Sequence, residues 1–185
     1  MDQKDRAKSA TDFALEQLAR IKRGHSFSGY ERDLVALNLG DGTFLDISGV
    51  SGADSVTDGR GALYADLDDD GDLDIFLRAM HGPAHRVFNN EIGQDAGWLR
   101  VVLEGRASGR DAFGAVVRVR VGDRTLARQK SGGSGYLAQH DPRILVGLGR
   151  AKQAEWIEVT WPSGAKQRLA GPFSSGGTIR IIESK

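Results

Sequence analysis

Residues 66–74 read DLDDDGDLD, with aspartate at 66, 68, 70, 72 and 74 and one more at 69. The run lies between two strand-like stretches, "GALYA" before it and "IFL" after it. Carboxylates this close repel one another, raise one another's pKa values and oppose a tight turn. Any fold that holds this run must neutralise it where two strands meet.

The spacing Asp66-x-Asp68-x-Asp70-Gly71-x-x-Asp74 suits calcium. Calcium takes about six to eight oxygen ligands and tolerates irregular geometry. Side chains at loop positions one, three and five turn inward, and Gly71 at position six can adopt the positive φ of a sharp reversal. Asp72 at position seven is expected to offer its main-chain carbonyl, with its side chain toward solvent. Asp69 is also expected to face outward, and Asp74 at position nine to close the cage. The expected metal residues are therefore Asp66, Asp68, Asp70, Asp72 and Asp74. An EF-hand is excluded, because position twelve is Leu77 and both flanks are strand-like. Zinc favours nitrogen and sulfur donors, so magnesium is the competitor, and a cage this rich in carboxylates suits calcium better.

Around the loop the apolar period is two. "DLVALNLGDGTFLDIS" reads as a hairpin turning at Asp41-Gly42, and "HRVFNN" as a short strand. "WLRVVLEG" is a strand. "AVVRVRVGDRTLARQ" places Val117, Val119 and Val121 on one face and turns at Gly122-Asp123. "WIEVTWPSGAKQRLAG" points Ile157, Val159 and Trp161 inward, and "GTIRIIES" closes the chain. The 25 glycines against four prolines fit turns in such a fold. One helix precedes it, with Ser9 or Thr11 as cap, Ala14, Leu15, Leu18 and Ile21 on one face, and Gly24 at its end. The expected class is all-β with one N-terminal helix: a blade-like antiparallel segment around the calcium loop, then a β-sandwich or barrel-like domain.

Composition removes several functions. Acidic and basic residues number 25 each, so no global field recruits nucleic acid or a membrane surface. With no cysteine there are no disulfides, thiolate chemistry or zinc–thiolate sites. No apolar run reaches membrane-spanning length, and "MDQKDRAKSA" does not read as a signal peptide.

"GRDAFGA" and "GGSGYLAQHD" are the polar, glycine-rich segments of the second half. Arg110, Asp111, Tyr136, Gln139, His140 and Asp141 are candidates to line a cleft. Asp111 or His140 as base with Tyr136 as acid would suit proton abstraction beside a carbonyl. The alternative is structural: Arg110 pairs with Asp111, and Tyr136 and Gln139 satisfy buried backbone. His81 and His85 are four apart, but Gly82-Pro83 breaks any helix that would aim both at one metal. "SGGSG" lacks the lysine of a phosphate loop, and Ser134 has no strand-to-helix context for a nucleophile elbow. Trp161 is expected in the core, and Trp156, on the other face, as a contact for carbohydrate or protein.

The loop, with "LNLGDGTFLDIS" and "GRGALYADLDDDGDLDIFL", resembles one FG-GAP/VCBS calcium repeat. "WLRVVLEGRASGRDAFGAVVRVRVGD", "SGGSGYLAQHDPRILVGLG" and "EWIEVTWPSG" resemble the UnbV/ASPIC domain of the cartilage acidic protein family, through Trp98, Gly105, Arg110, Asp111, Gly114, Tyr136, Gln139, Trp161, Pro162 and Gly164 among others. The division this implies is a helix and linker at 1–30, the repeat at 31–92 and the UnbV/ASPIC-like domain at 93–185. The resemblance implies an extracytoplasmic calcium-binding module that recognises a glycan or protein partner. The alternative is a calcium-dependent lyase, cyclase or isomerase acting on a polyhydroxy or anionic small molecule, since some similar domains accompany sugar-modifying lyases.

Overall fold

Helical spacing holds only at the start of the chain. A computed structural model describes residues 10–23, 25, 31–79, 85–133 and 135–184. Ser9, Gly24, His81, Gly82, Pro83 and Ser134, each weighed above, lie outside the described residues. Helix α1 (Ala10–Lys22) has Asp12 in its first turn and Arg20 and Lys22 in its last, matching the helix dipole. Its apolar stripe is not buried: Phe13, Leu15 and Leu18 are each more than half exposed.

Strands β1 (Ala36–Asn38) and β2 (Phe44–Asp46) form the expected antiparallel hairpin, with Leu37 opposite Leu45. Its turn uses Asp41, whose Oδ1 accepts from the Thr43 amide at 2.9 Å. A one-turn helix α2 (Ser48–Ser51) follows, which the residue pattern did not predict. Strands β3 (Gly59–Ala65), β4 (Asp74–Ala79) and β5 (His85–Phe88) make a three-stranded sheet in the order β3-β4-β5.

The remaining strands are β6 (Gly97–Glu104), β7 (Val116–Val121), β8 (Arg124–Gln129), β9 (Ile144–Gly149), β10 (Gln153–Thr160), β11 (Lys166–Ser174) and β12 (Gly177–Ile182). Alternating residues set the larger sheet, in the antiparallel order β11-β10-β7-β8. Val117 and Val119 of β7 lie opposite Val159 and Ile157 of β10, and all four are fully buried. The second sheet has the order β12-β6-β9, with β12 parallel to β6 and β9 antiparallel to it. Strand β9 was not anticipated: "ILVGLG" carries two glycines and too little alternation to stand out.

Both sheets feed one buried cluster. Leu99, Val101, Val146 and Ile181 come from one, and Val117, Val119, Ile157 and Val159 from the other. Trp161, just beyond β10, joins them at 2% exposure, as its position predicts. Each such aliphatic side chain contributes about 1.5–3 kcal/mol by leaving water. This is the sandwich form of the expected all-β class.

The chain divides into two compact units, Met1–Gly61 with Leu77–Phe88 and Ala62–Phe76 with Asn89–Lys185. The acidic loop thus groups with the sandwich, whereas the residue pattern places it in a separate segment ending at 92.

A buried carboxylate closes the second unit. Glu183, 1% exposed, accepts from the Arg106 amide at 2.7 Å, the Ser108 amide at 2.9 Å, and the Ser108 and Ser163 hydroxyls at 2.7 and 2.6 Å. Burial pushes its pKa up, but the bonds from Ser163, Ser108 and Arg106 outweigh burial and hold it at about 2. A carboxyl depressed from its usual 4.5 stabilises the fold above that value and loses the contribution as pH falls toward about 2. Glu183→Gln is therefore expected to flatten the fall of melting temperature between about pH 4.5 and 2, measured by circular dichroism. An unchanged acid limb would contradict this role.

Candidate metal centre

The loop between β3 and β4 belongs wholly to the second unit, as do its partners described here. One carboxylate oxygen from each of Asp66, Asp68 and Asp70 lies within 4.8 Å of the others, so this cluster can hold a metal ion. The turn builds itself from its own side chains. Asp70 Oδ1 accepts from the Asp72 amide at 3.0 Å, and Asp66 Oδ2 from the Gly71 amide at 3.2 Å. Asp69 takes the left-handed conformation with φ 63°, which a short polar residue tolerates.

Gly71 meets two demands. Its φ is 99°, as the turn predicts. A Cβ there would also sit 1.9 Å from the Trp98 indole nitrogen, inside the ring's own space. Trp98 of β6 thus lies directly against the loop.

Two guanidinium groups neutralise part of the acidic run, and neither was foreseen. Arg100 of β6, 7% exposed at its side chain, pairs with Asp66, whose side chain is 1% exposed, and reaches Asp69 Oδ1 at 3.0 Å. Its guanidinium lies 4.9 Å from the Trp98 ring centre. Arg143 donates to Asp69 Oδ1 at 2.9 Å and to the Asp66 carbonyl at 3.0 Å, while Asp141 grips it from the other side at 2.6 Å. Burial pushes the Asp141 carboxyl up, and the hydrogen bonds from Arg143 more than reverse this. Gln94 adds a 3.2 Å bond to Asp70 Oδ2. The available signal was Arg100 itself. Leu99 and Arg100 are adjacent and both buried, so β6 is covered on both faces there.

The arginines leave specific oxygens open. Asp66 Oδ1 and both carboxylate oxygens of Asp72 are buried without a hydrogen-bond partner among the described residues. Asp72 was expected to face solvent, and the structure corrects this. Burial, then the charges of Asp70, Asp74, Asp68 and Asp66, raises its pKa to about 6. Asp69 does face outward, 65% exposed at its side chain. Asp74 is 1% exposed and holds main chain: Oδ2 accepts from the Leu67 amide at 2.8 Å and Oδ1 from the Asn90 amide at 2.9 Å. The donor set is carboxylate oxygen throughout, with orphaned buried oxygens among it. That fits a hard dication and not a soft one.

The other candidates separate. His140 and Asp141 line a cleft with Tyr64, Lys130 and Arg143. Arg110 and Asp111 line a different one with Glu104 and Arg180. Tyr136 is 70% exposed and lines neither, and Gln139 is exposed. Trp156 is half-buried, with the Arg168 guanidinium 4.0 Å from its ring centre.

Gly71→Ala and Gly109→Ala separate torsion from clash. Both positions have positive φ, but a Cβ at Gly109 meets nothing within 4 Å. Gly109→Ala is expected to cost about 1–2 kcal/mol from its left-handed backbone. Gly71→Ala adds roughly 1–3 kcal/mol from overpacking against Trp98. Urea unfolding of the two variants checks the order, and equal losses would refute the Trp98 contact.

Among the described residues no helix is long and apolar enough to cross a membrane. Residues 105–184 match the family model described as ASPIC and UnbV. The chain is 36% identical over 129 residues to cartilage acidic protein 1 of Homo sapiens, covering 68% of this chain and 19% of that protein. Against cartilage acidic protein 1 of Mus musculus it is 37% identical over 110 residues, covering 57% and 17% respectively. Against that of Xenopus tropicalis it is 36% identical over 119 residues, covering 57% and 16%. The chain thus spans 16–19% of the length of these three relatives. Its sandwich carries an ASPIC and UnbV domain, and the chain is homologous to part of cartilage acidic protein 1.

Proposed function

We propose that this chain is a calcium-binding β module, in which the ion braces the 66–74 loop against the sandwich and the β-rich surface recognises a glycan or protein partner. The observation that carries the reading is the set of buried, unpartnered oxygens on Asp66 and Asp72 inside a carboxylate cluster. Asp66, Asp68 and Asp70 would hold the ion through side chains. Asp72 and Asp74 complete the proposed set: Asp72 through its carbonyl or its buried carboxylate, Asp74 through the lone pairs its two backbone bonds leave free. Calcium is favoured over magnesium because the donors are many and irregularly placed.

The loop lies between strands, as in a single FG-GAP/VCBS-like repeat, which supports assigning it to that class. The relatives' printed name, cartilage acidic protein, supports an extracellular setting. A binding role is preferred to a lyase, cyclase or isomerase, because Asp111 and Tyr136 do not share a cleft with His140.

Calorimetry on protein purified without chelator tests the metal. One calcium per chain is expected, and calcium at a hundredfold its dissociation constant should add about 2.7 kcal/mol of stability. Asp66→Asn, Asp68→Asn and Asp70→Asn together should remove both effects. No heat of binding and an unmoved melting curve in chelator would defeat the proposal.

A further inference from the structure

Lys130 is a buried cation short of partners. It is 6% exposed, and its backbone is fixed on both sides, N–H to the Ala115 carbonyl and carbonyl to the Gly114 amide, each at 2.8 Å. Its ammonium donates to the Pro142 carbonyl. An ammonium has three N–H donors, and one carbonyl satisfies one of them. Burial pushes its pKa down, while the charges of Asp111 and Asp141 oppose that. Leaving the other donors dry in the interior is costly.

Lys130 forms part of the wall of a cleft of about 330 Å³, within the second unit. That volume is at the small end of ligand pockets, which run from about 300 to 1,000 Å³. Tyr64 and His140 also line it, their rings 4.7 Å apart and tilted by 43°. His140 Nδ1 accepts from the Tyr64 amide at 3.2 Å, which places the imidazole proton on Nε2 as a donor. The one acid in the wall among the described residues, Asp141, is already gripped by Arg143 through Nε at 2.9 and 3.0 Å and Nη2 at 2.6 Å. Arg128 adds an exposed positive charge. Three cationic side chains, Arg128, Lys130 and Arg143, thus stand in the wall against the single carboxylate of Asp141, with the Tyr64 and His140 rings beside them.

We propose that this cleft binds a small hydroxylated carboxylate of the sugar-acid class. The ligand's carboxylate meets the Lys130 ammonium, and its ring lies against Tyr64 and His140. A carboxylate fits better than a phosphate. Phosphate favours a wholly free guanidinium fork, but the Arg143 fork is taken by Asp141 and Asp69 and Arg128 spends Nη1 on the Ala127 carbonyl. This deepens the binding-module reading and rests on it for the partner's glycan chemistry, but it does not require calcium.

The test is calorimetry and amide NMR on the full chain, titrated with galacturonate, galactose, acetate and inorganic phosphate, in chelator and in calcium. Galacturonate is expected to shift the amides of Tyr64, Ile144 and Leu145 and to bind about tenfold or more tighter than galactose or acetate. Lys130→Met should weaken it by about tenfold. Arg128→Ala, an exposed change that leaves the core untouched, should weaken it severalfold even if Lys130→Met does not fold. Galactose matching galacturonate, phosphate matching it, or no shift at all would each overturn the assignment. A silent cleft in protein that still binds calcium would sink this inference and leave the metal reading standing.

Discussion

The Arg100–Asp66 ion pair is the contact on which the rest of the site depends. Both side chains are more than nine-tenths buried, so neither charge can turn to water if the other is lost. Such a pair adds little net stability against an apolar substitute, yet breaking one half costs about 3–5 kcal/mol, because a lone charge is left inside. The pair also divides Asp66 between two tasks. Oδ2 takes Arg100 and the Gly71 amide, and Oδ1 is left without a partner among the described residues. One aspartate thereby fastens the loop to the central strand of a sheet and keeps one buried oxygen unpartnered among the described residues.

The neighbouring contacts extend that arrangement. Trp98, two residues before Arg100 on β6, fills the space a side chain at Gly71 would need. Arg143 joins the outer face of the loop to Asp141 on the cleft wall. Asp74 spends both oxygens on backbone amides and so sets where β4 begins. The loop is held by groups with defined geometry before any ion is considered. Among the described residues, what protein groups leave unmet is the carboxylate of Asp72 and Oδ1 of Asp66.

The fold class was legible because alternation is a local property. Val117, Val119, Ile157 and Val159 announce their strands and their buried face without reference to any partner. Gly71's torsion and the gathering of one carboxylate oxygen each from Asp66, Asp68 and Asp70, with Asp68 exposed, follow from spacing in the same way. What did not show was long-range. That Arg100 and Arg143 supply counter-charge depends on β6 and the approach to β9 passing beside the loop, and one chain's residue order does not reveal that register. Asp72 was misplaced for a related reason. Position seven of such a loop normally contributes only its carbonyl, but packing of the loop against the sandwich unit buries this carboxylate. The cleft was half visible: His140 and Asp141 were named with Asp111 and Tyr136, whereas the wall is completed by Lys130 and Tyr64, far apart in sequence.

The most direct test is the thermal stability of Arg100→Met with and without calcium. The account holds that Arg100 and a dication share Asp66, one oxygen each. Without Arg100, the chelated variant should melt well below the parent chain, and calcium should raise its melting temperature by more than it raises the parent's, since the cluster is then more negative. A variant that melts with the parent in chelator, or that calcium leaves unmoved, would contradict it.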